Sequence, residues 1–115
     1  MAQMTLCGSG DLRGVAVELD DAVNGSGASV ELVTHDETTV NDVLIITKIY
    51  EKYYMRNSSR ASLTVQLVGY RGRIRAFLAG SGGGNGTFFG FSWGAEENFV
   101  ESAAECLRRL GFAEC

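Results

Sequence analysis

Leu63, Val65 and Leu67 alternate with Thr64 and Gln66, and beyond Gly69-Tyr70-Arg71-Gly72 the alternation resumes as Ile74, Ala76 and Leu78 against Arg73, Arg75 and Phe77. An apolar period of two describes a strand buried on one face only, and two such runs flanking a Gly-bounded turn form an antiparallel hairpin. The hairpin constrains everything else in the chain. One of its faces needs a cover, while the other carries arginine, threonine and glutamine.

Two segments can supply that cover. Asp11 stands before Leu12, Val15, Ala16, Leu19, Ala22 and Val23, a spacing of three and four that gathers the apolar groups on one helix stripe. Asp11 is the expected N-cap, and Asn24-Gly25 the expected close, with Gly25 in the left-handed conformation. Near the other end, Glu96, Glu97 and Glu101 open a helix and Arg108 and Arg109 end it, each matching the helix dipole. Phe99, Ala103, Cys106 and Leu110 then share one face, and Gly111 stops the helix.

The intervening segments read as further strands. Val30 and Leu32 point one way and Ser29, Glu31 and His35 the other. Val43, Ile46, Tyr50 and Tyr53 fit a helix, but the β-branched Val43, Ile45, Ile46, Thr47 and Ile49 favour one long strand over residues 43–56. Residues 87–93, after an Asn85-Gly86 turn, are a candidate fifth strand. Residues 1–10 read as a flexible lead-in. With 115 residues there is room for one core. The expectation is a single α+β domain, a two-layer sandwich of helix, four or five antiparallel strands and helix, with both helices on one face of the sheet.

No apolar run approaches the roughly 20 residues that cross a bilayer, and the first residues lack the basic and apolar regions of a secretory signal. A cytoplasmic protein with no membrane partner is expected. The net charge of −4 and pI of about 4.9 oppose binding to a polyanion. Residues 48–75 nevertheless hold seven basic groups and one acid, Glu51, interleaved with Tyr50, Tyr53, Tyr54 and Tyr70. That composition can bind nucleic acid by phosphate contacts and base stacking, yet basic strands that pair with acidic helices or with an acidic face of a second subunit explain it without one. Cys7, Cys106 and Cys115 are odd in number and widely spaced, so free thiols are expected, with Cys106 on the apolar stripe of its helix.

Gly90-Phe91-Ser92-Trp93-Gly94 is a literal G-x-S-x-G, the form of a nucleophile elbow, and makes Ser92 a catalytic candidate. The mechanism requires a His and an acid after the Ser, whereas the one histidine, His35, lies upstream. Gly80-Ser81-Gly82-Gly83-Gly84-Asn85-Gly86-Thr87 can present backbone N–H groups to an anion, but has neither the P-loop lysine nor the dinucleotide spacing. His35-Asp36-Glu37 and Asp42 carry oxygen and nitrogen ligands without a metal-binding spacing, and read as a loop; no metal and no cofactor is expected.

The segments Tyr53-Tyr54-Met55-Arg56, Arg60-Ala61-Ser62-Leu63-Thr64-Val65, Gly80-Ser81-Gly82-Gly83-Gly84 and Trp93-Gly94-Ala95-Glu96-Glu97-Asn98-Phe99-Val100 resemble a small bacterial family of unknown function, mostly from Firmicutes. The resemblance covers the second half of the chain and implies no activity or site residue. Two functional expectations follow from the residues. The first is a non-enzymatic binding or assembly module that forms a homodimer through the open sheet face bearing Thr64, Gln66, Val68, Arg73, Arg75 and Phe77. The second is a small-molecule binder or enzyme that holds an anionic ligand with Arg73, Arg75, Gly82, Gly83, Gly84, Asn85, Gly86 and Thr87.

Overall fold

A computed structural model describes residues 2–27, 29–54, 59–83 and 95–115. The elements are β1 (Ala2–Ser9), α1 (Leu12–Asn24), β2 (Val30–Val40), β3 (Val43–Tyr54), β4 (Ser59–Tyr70), β5 (Arg73–Gly83), α2 (Ala95–Arg109) and β6 (Ala113–Glu114). All strand pairings are antiparallel, in the order β2-β3-β4-β5-β1-β6. The alternation in the hairpin has its expected effect: Leu63, Val65, Leu67, Ile74, Ala76 and Leu78 are buried, whereas Arg73 and Arg75 are exposed. The buried side chains of α1 (Leu12, Val15, Ala16, Leu19, Val23) and α2 (Phe99, Val100, Ala103, Ala104, Cys106, Leu107) join them in one core. This is the two-layer α+β arrangement with both helices on one face.

The β4–β5 turn shows why the hairpin is tight. Arg71 and Gly72 both have positive φ, 51° and 80°, the backbone of a two-residue turn whose twist matches that of the flanking strands. Asp11 caps α1 by accepting from the Gly14 N–H at 3.0 Å. Its other end differs from expectation. Gly25 has φ −79°, a right-handed residue, and the turn is closed by Ser26, whose N–H and hydroxyl both donate to the Val23 carbonyl. The left-handed glycine belongs instead to α2: Gly111 has φ 96°, its N–H donates to the Arg108 carbonyl, and the Phe112 N–H reaches back to the Leu107 carbonyl at 2.9 Å. That double bond pattern ends the helix one residue before Leu110, which is exposed, and Leu107 fills the core position.

Three further readings are corrected. Residues 2–9 are no lead-in but the strand β1, fully paired with β5 from Ala2↔Gly80 to Ser9↔Arg73. Its own alternation, Leu6 buried between half-buried Met4 and Gly8, fits the same face as the hairpin core. Residues 80–83 belong to β5 and pair with β4 from Leu63↔Gly80 to Arg60↔Gly83. Cys7 and Cys115 are joined in a disulfide, with sulfurs 2.02 Å apart and α-carbons 5.8 Å apart, while Cys106 is free and buried as expected. The bridge spans 108 residues of sequence, a closure worth roughly 2–4 kcal/mol. Residues 43–54 form the long strand and not the helix. The candidate strand at residues 87–93 lies outside the described residues.

Phe112 follows the Gly111 turn and is buried against β1. A Cβ at Gly8 would stand 2.6 Å from the Phe112 ring, so this strand position admits no side chain without displacing the ring. Gly8→Ala is expected to lower stability by about 1–3 kcal/mol. Urea unfolding followed by circular dichroism checks this as a lower midpoint at unchanged slope.

Candidate functional site

The sheet has one face under the helices, and no described element covers the other. The strand registers lay out this open face as rows. The central row is Thr5 of β1, Phe77 of β5, Gln66 of β4 and Thr47 of β3, ending in Asp36 on β2. One flanking row is Gln3, Ala79, Thr64, Ile49 and Thr34; the other is Cys7, Arg75, Val68, Ile45 and Thr38. Ile45, Thr47, Ile49, Thr64, Gln66, Val68 and Phe77 are all half-buried. The charged groups of this face stand around that patch. Arg73 and Arg75 lie toward one end, Glu51 and Arg60 pair at 3.9 Å toward the other, and Glu31 and Asp36 lie on the edge strand.

A second polar constellation sits under α1. Asp20 reaches down from the helix to β3, where its Oδ2 is 3.0 Å from the Lys48 Nζ and its Oδ1 accepts the Tyr50 hydroxyl proton. Tyr50 is fully buried and Lys48 nearly so, at 8% exposure. Burial, reinforced by the hydrogen bond to Asp20 and by its charge, pushes the Tyr50 hydroxyl far above its ordinary value of 10.0. The neighbouring Lys52 ammonium donates to the Ser26 carbonyl at 2.9 Å and lies 5.7 Å from the centre of the Phe99 ring, and burial lowers its pKa. These contacts fasten α1 to β3, and they give internal partners to part of the basic segment.

The residues singled out from sequence distribute as follows. Arg73 and Arg75 project from the start of β5, whereas Gly82 and Gly83 close the same strand. Seven residue-to-residue steps of extended chain separate Arg75 from Gly82, roughly 23 Å. The arginines and the glycines are therefore not brought together. Gly84, Asn85, Gly86, Thr87 and Ser92 lie outside the described residues. His35, Asp36 and Glu37 form no loop; they are part of β2, and a register shift between Leu32 and Thr34 turns His35 to the side of Lys48 and Asp36 to the open face. Glu37 pairs with Arg13 of α1. Two features escaped sequence reasoning. One is the disulfide, for which spacing gives no signal. The other is a depression of about 520 Å³ beside it, lined by Cys7, Gly8, Ser9, Val68, Tyr70, Arg73, Ile74 and Arg75.

Fold and surface together define a small open-faced α+β domain: a six-stranded antiparallel sheet with two helices on one side and a mixed polar and apolar surface on the other. The chain belongs to the family of unknown function DUF6054, whose model matches residues 1–111 and so extends well beyond the half that carries the resemblance. No curated protein and no solved structure matches the chain. No described helix is long and apolar enough to cross a membrane.

Removing the Asp20 carboxylate leaves a buried hydroxyl and a buried ammonium without their shared partner, so Asp20→Ala is expected to cost about 2–4 kcal/mol. Equilibrium urea unfolding at pH 7 measures it. The Tyr50 hydroxyl, with its folded pKa raised, contributes stability that is complete below pH 10 and is lost as pH rises, because only the unfolded chain then releases the proton. Stability measured between pH 9 and about pH 11 is expected to fall less steeply in Tyr50→Phe than in the wild type.

Proposed function

We propose that this chain is a non-enzymatic assembly module that forms a homodimer by stacking its open sheet face on the same face of a second copy. The observation that carries the reading is the distribution of charge on that face. Thr47, Ile49, Thr64, Gln66, Phe77 and Ala79 make a continuous uncharged centre, with Glu51, Arg60, Arg73, Arg75 and Asp36 around it. Depletion of charge at the core with a polar rim is the anatomy of protein interfaces, whereas a merely solvated strand gains from charge at any outward position.

The dimensions agree. Five strands spaced about 4.8 Å apart, each about ten residues long, present roughly 800 Å², which is what one partner contributes to a standard interface. Arg73 and Arg75 at one end, and the cross-strand pair Glu31 and Glu51 outnumbering Arg60 at the other, make the face self-complementary when the two sheets run in opposite directions. A two-fold axis across the strands produces that arrangement.

Sedimentation equilibrium of the purified protein is expected to show a monomer–dimer equilibrium. Phe77→Glu places an unpaired charge at the centre of the contact and is expected to weaken it at least about a hundredfold. Its thermal melt stays close to that of the wild type, because Phe77 lies outside the helix-covered core. A wild-type protein that remains monomeric at millimolar concentration overturns the reading.

A further inference from the structure

We infer that Cys7–Cys115 is a reversible thiol–disulfide exchange site, entered by a dithiol reductant through the cationic depression beside Arg75, and that its reduction releases β6 from β1. Cys115 is an exposed residue and Cys7 a half-buried one. Cys7 lines the depression of about 520 Å³ together with Tyr70, Arg73 and Arg75. Arg75 is the cross-strand partner of Cys7 and shares its face, which sets their β-carbons roughly 5 Å apart. Neither Arg73 nor Arg75 has an acidic partner among the described residues, so both positive charges act on the depression.

These features fit the exchange chemistry. A thiolate of the reductant, attracted by Arg75 into the depression, attacks the Cys7 Sγ that lines it, and the S–S bond breaks with its electron pair leaving on the Cys115 Sγ. The second thiol of the reductant then attacks the reductant's own sulfur in the mixed disulfide and frees Cys7. The reductant has lost two electrons and become a disulfide, and its two protons end on Cys7 and Cys115.

Once the bridge is broken, β6 is held by few contacts beyond the buried Phe112 that precedes it. It pairs with β1 only through Leu6↔Glu114 and Cys7↔Ala113, extended by one bond from the Cys115 N–H to the Thr5 carbonyl at 3.3 Å. Glu114 adds an exposed contact of 3.9 Å to Arg108. Cys106 provides an internal control. Its thiol is buried under α1, donates to the Glu18 carbonyl at 3.6 Å, and is pushed up in pKa by burial.

The native protein is treated with dithiothreitol, alkylated with iodoacetamide and mapped by mass, in the wild type and in Phe77→Glu, so that exchange and self-association are read separately. Cys7 and Cys115 are expected to label while Cys106 stays unlabelled and the far-ultraviolet circular dichroism is retained. Amides of residues 5–7 and 113–115 then exchange hydrogen faster in the reduced protein. Arg75→Gln, at an exposed position, slows reduction about three- to tenfold at low ionic strength. Labelling of all three cysteines in step means that reduction waits on global unfolding, and overturns the site. A wild-type rate in Arg75→Gln overturns the entry beside Arg75, and unchanged amide exchange overturns the release of β6.

Discussion

A strand turns successive side chains to opposite faces, and in this protein β1, β3, β4 and β5 obey that period throughout while the described helices lie on one face. Leu6, Ile46, Leu67 and Ala76 stand side by side across four strands and are all buried. Their neighbours in sequence, Thr5, Thr47, Gln66 and Phe77, occupy the corresponding row on the other side. The composition of the open face is therefore not set by the core. A residue there is free to be charged, and the uncharged centre is informative because packing under the helices does not require it.

The helices do not spread evenly over their face. α2 rests on β5, β1 and β4, and α1 packs beside it. Beyond β3 the cover stops, so β2 is exposed along its length from Glu31 to Val40. The Asp20 carboxylate sits at this boundary, held by Tyr50 and Lys48 of the last covered strand. A hydrogen-bonded ion pair is suited to such a place, where a purely apolar contact would be half wet and would leave the helix free to slide. Arg13 and Glu37 span the same boundary on the surface, where solvent makes an ion pair worth little.

Much of this architecture is legible in the sequence wherever local pattern and tertiary need agree. The β4–β5 hairpin, the apolar stripe of α1 and the basic end of α2 all come directly from spacing. The parts that escape depend on distant contacts. Ala2, Met4 and Leu6 alternate correctly, but β1 becomes a strand by pairing with β5, where Thr5 meets Phe77. Gly82 and Gly83 have poor strand propensity and are held by Ala61 and Arg60 of β4. His35 changes face because of a single irregularity near Val33, a shift that periodicity cannot register. Of the candidate site, the open face was readable from Thr64, Gln66, Arg75 and Phe77, whereas its uncharged centre required the register between strands.

The two edges of the sheet bear on how the face is used. An exposed edge strand invites pairing with another chain, and β2 counters this with Glu31, His35, Asp36 and Glu37 and with the irregularity after Leu32. The opposite edge is finished by β6, a strand of two residues whose hold on β1 is completed by the disulfide. One edge is thus charged and kinked, and the other is capped at Leu6 and Cys7. The capped edge differs from the charged one in that its protection is chemical. Breaking the S–S bond would loosen that cover at Leu6 and Cys7 alone, two positions of an eight-residue strand that carries no charged side chain.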